Sequence, residues 1–401
     1  MKFNRAIMEK YCDVLVWALK TARKGFFRKG DVILVSYHLG ALALAELLHA
    51  RLLVDGYHPV LRLRATPRME RDFFSVANPK QLVFQAPGSR ELHKAMNGAI
   101  HLYAPESLTH LSTVDPRKIG RAAVAAKPLR DVLDRREDKG LLGWTLCLCP
   151  TPGLARHAGL SMQKYEAEVI RACYLDRNDP VREWKETHRE IKAIKEWLNG
   201  MDIEALHMES NTADLVVTPG RRRRWVGVSG HNIPSFEIFV SPDWRGTEGV
   251  FYSDQPSFRN GNYVQGVRLV FENGRAVKVE AKKGEEFTVK QLSMDKGACR
   301  IGEFSLTDRR FSRIGRFMAN TLYDENFGGR YGNCHIAVGS SYSDTYDGNP
   351  GRLTRDKKQE LGFNESALHW DLVNTERKVV TAHLRSGAKK IIYEDGMFKC
   401  G

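Results

Sequence analysis

The chain has 401 residues, of which 42% are hydrophobic and 27% are charged. This length exceeds what one hydrophobic core usually serves, so two domains are expected, and the balanced composition excludes fibrous and disordered classes. The net charge of +14 raises the question of an anionic partner, but the only dense basic block is residues 221–224. A surface turn beside a strand explains four arginines as well as a phosphate-binding patch does, so no nucleic acid partner is predicted.

The cysteines and the apolar runs of the sequence indicate the cellular compartment of the protein. The seven cysteines are scattered and include no CxxC pair, which argues against a disulfide framework and for a reducing environment. In GWTLCLCP, Cys147 and Cys149 alternate with leucines, which favours small apolar side chains on a buried strand over a thiolate metal site. No run approaches the length of a membrane span, and charges interrupt the apolar residues at the N-terminus. We therefore expect a cytoplasmic protein with no membrane partner.

The first half of the chain alternates strand and helix patterns. Residues 1–28 have apolar residues at helical spacing, and DVILVSY, ALALAELLHARLLVDGY and HPVLRLRA then predict a strand-helix-strand unit. Further strands are predicted at QLVFQAP, GAIHLYAP and GWTLCLCP, separated by helices over RMERDFFSVA and RKIGRAAVAAKPLRDVLDRR. This alternation predicts a doubly wound, mainly parallel sheet with helices on both faces. The turn YHLGALA lacks G-x-G-x-x-G, so no dinucleotide site is expected.

The pattern changes after residue 200. Before that point, two helical stretches are predicted to bridge the two halves, the second with Asp179 as N-cap and Pro180 at the first helical position. After it, strand patterns dominate, including RWVGVSG, FEIFVSP and GVFYSD, and ENGR predicts a type I′ hairpin turn. The predicted fold class is therefore α/β: an N-terminal α/β domain over residues 1–200 and a C-terminal α+β domain with a mixed or antiparallel sheet over residues 201–401.

Carboxylate and imidazole side chains recur beside strand-like runs over residues 231–371. In LHWD, His369 and Asp371 lie two apart, so on an extended segment they face the same way while Trp370 faces the other. Hydrolysis of an amide at neutral pH needs a better nucleophile than water and a polarised carbonyl, and a divalent ion supplies both. The pattern therefore favours a pair of divalent ions, held by carboxylates and imidazoles, that activate water.

Two glutamates lie within apolar strand patterns. Glu237 ends HNIPSFE and precedes three apolar residues, and Glu303 lies in IGEFSL. A carboxylate on such a strand is costly to bury without a partner. Metal binding removes that cost, and so does an arginine such as Arg300 or Arg309.

One imidazole and one phenol follow in the next strand pattern. His335 stands in the apolar CHIAVGSSY, and Tyr342 comes seven residues later, on the predicted loop beyond the strand. A phenol at that position can donate a hydrogen bond to a developing oxyanion. In isolation, however, a histidine or tyrosine at a strand edge is more often a structural residue.

The ordered set of these motifs resembles one enzyme family. HNIPSFE, IGEFSL, TLYDEN, HIAVGSSY and HWD, with the earlier TPGLARHAGLSMQKYEAEVIRACYL, are similar to the metal-dependent aminopeptidase T and aminopeptidase S family. The resemblance covers essentially the whole chain and is strongest from about residue 150. It implies release of N-terminal amino acids from peptide substrates on two divalent metal ions such as zinc, cobalt, manganese or magnesium. It also implies a homodimer whose active sites face an enclosed interior.

The resemblance also implies roles for individual residues. Glu303 and Tyr342 are the implied catalytic residues, and Glu303 is able to bridge both ions. Glu325 in YDEN corresponds to an acidic residue near the site and takes an auxiliary metal role. The other implied metal ligands are Glu237, His335, His369 and Asp371.

Some features leave alternatives open. The segment NFGGRYGNC, residues 326–334, is longer than the usual turn of the family and is expected to affect substrate preference more than metal binding. By charge alone, Asp324 and Glu325 are both candidates to bind the substrate's α-amine. Two other functions remain: a non-catalytic module that retains a degenerate site and binds an anionic polymer through residues 221–224, and a metal-dependent hydrolase of another small amide.

Overall fold

The computed structural model describes residues 2–400, which form one parallel and two antiparallel sheets with flanking helices. The α-helices in this range are α1 (Arg5–Ala22), α2 (Leu42–Val54), α3 (Pro67–Val76), α4 (Pro79–Leu82), α5 (Ser89–Ala95), α6 (Pro116–Asp138), α7 (Pro152–His157), α8 (Met162–Ala172), α9 (Pro180–Asn199), α10 (Glu285–Leu292), α11 (Thr321–Asp324) and α12 (Arg355–Glu360). The β-strands are β1 (Val32–Tyr37), β2 (His58–Leu63), β3 (Gly98–Tyr103), β4 (Gly143–Leu148), β5 (Ile203–Ser210), β6 (Asp214–Val217), β7 (Asn232–Ile233), β8 (Glu237–Val240), β9 (Glu248–Ser253), β10 (Ser257–Arg259), β11 (Asn262–Glu272), β12 (Arg275–Lys283), β13 (Ile301–Thr307), β14 (Asn333–Gly339), β15 (His369–Asn374), β16 (Lys378–Leu384), β17 (Lys389–Glu394) and β18 (Met397–Phe398).

The parallel sheet has the strand order β2-β1-β3-β4-β7. Successive residues of β1 point to opposite faces: Ile33 and Val35 belong to the core cluster that includes α1 and α2, whereas Leu34 packs with Leu133 of α6. Helices therefore cover both faces, which confirms the predicted doubly wound sheet. The short β7 joins this sheet from beyond residue 200, and the domain division at residue 200 stays a prediction.

Two predicted strands are wrong. QLVFQAP is not extended, because Asn78 and Gln81 form a capping box around Pro79 and begin the short α4 in its place. RWVGVSG forms no strand, since Val226 makes only a single bridge to Phe239 and the next residues leave the extended region. Val228 has a φ of 49°, which breaks the backbone geometry that a ladder requires.

Two local predictions are confirmed. The Asp179 carboxylate accepts a hydrogen bond from the Arg182 N–H at the start of α9, which begins at Pro180. In the hairpin between β11 and β12, Asn273 and Gly274 have φ values of 50° and 73°, as a type I′ turn requires.

The remaining strands form the two antiparallel sheets. The larger has nine strands in the order β10-β11-β9-β6-β5-β16-β17-β18, with β12 paired to β11, and the smaller has the order β15-β14-β13-β8. Every residue of β13 and β14 is buried, including the polar ones. The smaller sheet therefore lies inside the molecule and carries polar side chains there. Among the helices of residues 2–400, the structure shows none that is both long and apolar enough to cross a membrane.

Candidate metal centre

The four-stranded sheet brings together five of the predicted site residues. Hydrogen-bonded pairing places Ser305 opposite His335 and Thr307 opposite Glu237, so neighbouring strands present these side chains within a few rungs of one another. On β15 the side chains of His369 and Asp371 lie two apart, as predicted, and Ala337 is opposite Asp371. The residues that meet here are Glu237 of β8, Glu303 of β13, His335 of β14, and His369 and Asp371 of β15.

A β-bulge directs the side chain of Glu303. Ile301 pairs with Val338 and Glu303 with Ala337, so Gly302 is an extra residue in the ladder. A β-carbon on Gly302 would lie 2.4 Å from the backbone oxygen of Ser340, which only glycine avoids. Because a bulge locally changes the alternation of side chains, it re-aims the residue that follows.

The first group of donors consists of Glu237, Glu303 and His335. His335 Nε2 lies 3.3 Å from Glu237 Oε2 and 3.2 Å from Glu303 Oε1. One ligand atom from each residue lies within 4.8 Å of the other two, and all three side chains are buried. These atoms are close enough to coordinate one cation between them.

The second group of donors consists of Glu303, His369 and Asp371. His369 Nε2 lies 3.2 Å from Asp371 Oδ1 and 3.7 Å from Glu303 Oε2, and the three ligand atoms again lie within 4.8 Å of one another. Glu303 therefore takes part in both groups: its Oε1 faces His335 and its Oε2 faces His369. A carboxylate with one oxygen toward each group has the geometry of a bridging ligand.

The hydrogen bonds of both histidines engage Nδ1 and direct Nε2 at the carboxylates. His335 Nδ1 lies 3.2 Å from the Glu325 carbonyl oxygen, and His369 Nδ1 lies 2.9 Å from that of Ser340. A carbonyl only accepts, so each Nδ1 donates its N–H to it. Nε2 of each histidine then faces the carboxylates, and a cation bound there would take the place of the Nε2 proton, as in histidines that bind metal ions.

The four acidic side chains of this region lack basic partners. Within residues 2–400, none of them forms an ion pair with a lysine or arginine, and histidines provide all their ionic contacts. Arg300 instead lies 3.8 Å above the Trp244 ring, and Arg309 donates to the Arg330 carbonyl oxygen at 2.9 Å. Neither arginine therefore offsets the burial of the glutamates. The four acids are Glu237, Glu303, Glu325 and Asp371.

The pKa values respond to this excess of negative charge. Burial, reinforced by a neighbouring carboxylate, raises the pKa of Glu237 to about 8, and burial with the charge of Asp371 raises that of Glu325 well above its usual value. Burial lowers the pKa of His335 and His369, but the adjoining carboxylates outweigh it and raise both to about 9. Burial also opposes ionisation of Asp371, yet His369 lowers its pKa to about 2. Positive charge is thus favoured at this position, which suits divalent cations.

Tyr342 borders the site on its accessible side. Its side chain is 40% exposed, and its ring centroid lies 4.7 Å from that of His369 and 5.8 Å from that of Phe239. The backbone N–H of Tyr342 donates to the Ser241 hydroxyl at 2.9 Å, which fixes the loop after β14. The phenol ring therefore lies beside the second donor group and is partly open to solvent.

The two neighbouring acids of YDEN have different surroundings. Asp324 accepts backbone N–H groups from Met318 and Asn320 at 2.7 and 2.8 Å, so its carboxylate holds a loop. Glu325 is buried and accepts a hydrogen bond from the Asn232 amide at 3.3 Å, while Asp371 is among the charges that act on it. Of the two candidates for amine binding, Glu325 is the one close to the metal-binding groups.

The arginines of the basic block at residues 221–224 contact other residues of the same chain. Arg223 stacks 3.4 Å above the Phe363 ring and donates to the Ser241 carbonyl oxygen at 2.7 Å. Arg224 donates to the Asp344 carbonyl oxygen at 2.9 Å, and Arg222 forms an ion pair with Asp347. Three of the four arginines are thus engaged with neighbouring loops, and Arg221 lies 3.6 Å from Glu360, which does not support the anionic-polymer alternative.

Some residues near the site were not singled out from the sequence. Asn232 reaches Glu325 from β7 of the parallel sheet, and Arg259 of β10 lies beside Trp370 and Asp371. Asn232 lies within HNIPSFE but was given no role there, and Arg259 belongs to no motif with a recognisable spacing. The only signal for Arg259 is a basic residue at the end of a short strand before Asn260-Gly261, and that pattern is common.

The fold and the donor set define a metalloenzyme with buried carboxylates and imidazoles arranged in two overlapping groups. The chain belongs to the thermophilic metalloprotease family M29, which it matches over residues 4–398. The family predicted from the motifs is thereby confirmed, as is its class as a peptide-hydrolysing metalloenzyme.

Named relatives agree with this assignment, and one solved structure shares the fold. Aminopeptidase T of Thermus thermophilus is 30% identical over 308 residues, covering 71% of this chain and 70% of the relative. Aminopeptidase AmpS of Bacillus subtilis is 27% identical over 332 residues, covering 78% of this chain and 79% of the relative. The structure of wild-type AmpT from Thermus thermophilus superposes with a TM-score of 0.79 at 23% identity over 99% of this chain and 100% of that one. This likeness confirms the predicted fold class.

Proposed function

We propose that the chain is an aminopeptidase that removes N-terminal amino acids from peptides with the help of two divalent ions. The observation that carries the proposal is the pair of donor groups that share Glu303 inside a region where no lysine or arginine of residues 2–400 pairs with the carboxylates. The relatives named as aminopeptidases support removal of terminal residues over cleavage within the peptide.

The residues present fit two cations. In the proposal Glu237, Glu303 and His335 hold one ion, and Glu303, His369 and Asp371 hold the other, with Glu325 in an auxiliary role. The mixture of carboxylate oxygens and imidazole nitrogens suits zinc, cobalt, manganese or magnesium. Divalent ions bound there supply a Lewis acid for the scissile carbonyl and an activated water.

The protein's own side chains supply the remaining catalytic steps. Tyr342, on the accessible side, donates its phenolic hydrogen to the oxyanion that develops on the scissile carbonyl. The carbonyl oxygens of Glu325 and Ser340 hold the imidazoles of His335 and His369 in one orientation. Divalent ions bound beside it would favour the ionised form of Glu325, whose carboxylate would then have the charge and the location to bind the α-ammonium group of the peptide. All of these residues lie in the C-terminal domain predicted over residues 201–401.

The proposal includes a cytoplasmic location. All seven cysteines are free, and five of them are buried. Free thiols are the usual state in a reducing compartment.

A homodimer is also proposed, through the edge strand β2 and the helix α3 that follows it in the chain, because both carry exposed apolar side chains. None of the residues of α3 is buried, and Met69, Phe73 and Val76 are 62%, 42% and 81% exposed. On β2, Leu61 and Leu63 are 39% and 51% exposed. An apolar face beside a free strand edge is covered in most proteins, and a second copy supplies an identical face by two-fold symmetry. Sedimentation velocity tests the dimer: a monomer at micromolar concentration, or a dimer unaffected by Phe73→Asp, would exclude this interface.

A peptidase assay tests the enzymatic proposal. We expect hydrolysis of leucyl-p-nitroanilide that chelation abolishes and added cobalt restores. N-acetylleucyl-p-nitroanilide is the matched substrate without a free amine, and it should remain intact. Hydrolysis of simple amides in preference to the leucyl substrate would instead favour the small-amide alternative, and metal-independent turnover would exclude the proposed centre.

A further inference from the structure

Arg259 lies where the parallel sheet meets the metal centre. It ends β10, and the turn that follows is held against the loop after β3, because the Leu111 N–H donates to the Gly261 carbonyl oxygen at 3.1 Å. On the other side of β10, Trp370 of β15 donates to the Ser257 hydroxyl at 3.1 Å. Arg259 is therefore placed between the carboxyl end of the parallel sheet and the strand that carries His369 and Asp371. Crevices at the carboxyl ends of parallel strands are common ligand sites.

The guanidinium of Arg259 is held without being neutralised. It lies 5.4 Å from the centre of the Trp370 ring, and the residues of the described chain, 2–400, offer it neither a hydrogen bond nor an ion pair. Its Nε is buried, although its side chain as a whole is only half-buried. A cation–π contact with an aromatic ring leaves the N–H groups of the guanidinium free to bind a planar partner.

Two other arginines with little exposure have acidic partners, whereas Arg300, which also lies over a tryptophan without an ion pair among residues 2–400, has none of the site carboxylates among the charges that act on it. Arg23, with an 8% exposed side chain, lies 2.7 Å from Asp31, and Arg313, with 22%, lies 2.8 Å from Asp176. Arg259 differs from both. Asp371 is the acidic group with the largest electrostatic effect on Arg259, but it lies more than 4.0 Å away and is 3.2 Å from His369. The unpaired charge therefore needs an explanation that the ion pairs of the chain do not give.

The surroundings favour an anion in front of Arg259. Burial lowers the pKa of Arg259 to about 10, so the side chain is charged at neutral pH. Arg130 of α6 adds a second positive charge, and its guanidinium donates to the Ala367 carbonyl oxygen at 3.2 Å, two residues before His369. In the proposed function Asp371 binds a cation, so its negative charge offsets the positive charge of Arg259 even less. A carboxylate is the anion that the fork of an arginine binds with two parallel hydrogen bonds.

We propose that Arg259 binds a carboxylate of the peptide substrate, on the C-terminal side of the bond that is cut. The inference rests on the proposed function, because the amine end of the peptide is positively charged and is repelled by Arg259. An extended peptide spans about 3.5 Å per residue, so a dipeptide or tripeptide brings its terminal carboxylate within two or three residues of the cut bond. The enzyme would accordingly prefer short peptides with a free C-terminus. An acidic side chain after the cut bond offers the same chemical group.

Matched peptides separate these two sources of the carboxylate. The substrates are leucylglycine, with a charged terminus, leucylaspartic acid α-amide, with a charged side chain only, and leucylglycinamide, with neither. We expect the wild-type protein to have a higher kcat/KM for a carboxylate substrate than for leucylglycinamide. In Arg259→Gln this ratio should fall by about 10- to 100-fold, the range that follows from losing a hydrogen bond to a charged group. Arg259→Lys should retain part of the preference.

Direct binding provides a readout independent of turnover. Leucylglycine and leucylglycinamide analogues with a reduced scissile bond are titrated into the metal-loaded and the metal-free protein by calorimetry. The acid should bind more tightly than the amide, and Arg259→Gln should remove this difference. Arg268→Gln is the matched control, since Arg268 lies in the neighbouring strand β11 and is paired with Glu280 at 3.1 Å on the surface.

The possible results are distinguishable. An unchanged ratio in Arg259→Gln, or equal loss for acid and amide, would overturn the carboxylate site and leave the aminopeptidase proposal intact. A preference for leucylaspartic acid α-amide alone would overturn the preference for short peptides and identify the side chain as the ligand. Absence of hydrolysis by the wild-type protein would overturn the proposed function, whereas the calorimetric comparison would still decide whether Arg259 binds the carboxylate. If Arg259→Gln does not fold, Arg259→Lys decides through the same comparison.

Discussion

The parallel sheet and the four-stranded sheet are both covered by the rest of the chain, but they bury different side chains. In the parallel sheet most covered positions are apolar, for example Ile33, Val35, Ile100 and Leu102, and the buried polar residues Ser36 and Thr145 carry no charge. In the four-stranded sheet, Glu303 and His335 are covered just as completely, with 3% and 0% exposure. Burial of an ionised carboxylate is costly unless a partner compensates it. The comparison therefore indicates that the first sheet contributes stability and the second gives up stability for chemistry.

The largest effect is expected from Glu303→Gln. The variant keeps the size of the side chain but removes the charge shared by the two donor groups. We expect peptidase activity to fall by about 10³-fold or more, since metal chemistry accounts for several kcal/mol of the barrier. Metal retention, measured by mass spectrometry after gel filtration, should fall as well.

The thermal stability of the metal-free Glu303→Gln protein should not fall with its activity. Removing a buried charge from the metal-free protein removes a desolvation cost, so its thermal midpoint without metal should be unchanged or higher. Glu280→Gln on β12, where the glutamate pairs with Arg268 at 3.1 Å, is the control and should change neither activity nor metal content. A fully active, metal-replete Glu303→Gln protein would remove the basis of the comparison.

The next prediction compares the same isoleucine-to-alanine substitution in each of the two sheets, to separate effects on stability from effects on catalysis. Ile100 of β3 and Ile336 of β14 are both 0% exposed. Replacement by alanine removes buried methyl groups and leaves a cavity, at a cost of about 2–5 kcal/mol in the free energy of unfolding. In Ile100→Ala, kcat below the unfolding transition should match the wild type. In Ile336→Ala, which adjoins His335, kcat should fall as well, and equal kcat in both variants would contradict the division of labour between the sheets.

Tyr342→Phe tests the accessible edge of the four-stranded sheet. The ring stays beside His369, and only the hydroxyl is lost. Removal of one hydrogen-bond donor to an oxyanion lowers kcat by about 10²-fold. We expect this decrease with KM and metal content nearly unchanged, measured by steady-state kinetics and metal analysis. Tyr346→Phe, four residues further along, is the control, and a similar loss there would assign the effect to the loop instead of the hydroxyl.

Much of this arrangement is predictable because it depends on local geometry. The strand and helix alternation, the Asp179 cap and the Asn273-Gly274 turn follow from the preferences of a few adjacent residues. The same period of two predicts that His369 and Asp371 share a face. The motifs also predicted which residues meet, although their catalytic and metal-binding roles stay predictions.

The remainder depends on contacts between distant segments. The Gly302 bulge inserts one residue into β13, and a strand pattern of period two does not reveal such an insertion. The segment QLVFQAP has β-forming residues, but the capping box of Asn78 and Gln81 outweighs them. The position of Arg259 depends on the contact between Gly261 and Leu111, which are far apart in the sequence and share no pattern.

Lys378 tests whether a buried charge outside the four-stranded sheet also lowers stability, and its expected effect is the smallest of those considered. It is a buried charge with neither an ionic partner nor a proposed catalytic role. It begins β16, is 1% exposed, and its Nζ finds no hydrogen-bond partner among residues 2–400. Burial lowers its pKa to about 8, while the nearby groups Cys334, Asp254 and Glu376 oppose that decrease only in part. An unfolded lysine has a pKa of about 10.4.

The sign of the pH dependence follows from these two pKa values. Between pH 8 and about 10.4 the unfolded chain binds more protons at this position than the folded protein does, so the contribution of Lys378 to stability rises with pH in that window. Near pH 7 both states are protonated, and the cost of the buried charge is present in full. Lys378→Met should therefore stabilise the protein at pH 7 by about 1–3 kcal/mol. Urea denaturation of both proteins from about pH 7 to about pH 10.5 measures the difference, which should shrink as pH rises. A difference that stays constant with pH would mean that the pKa of Lys378 is the same in the folded and unfolded states, and that a buried charge outside the four-stranded sheet does not carry the cost inferred here.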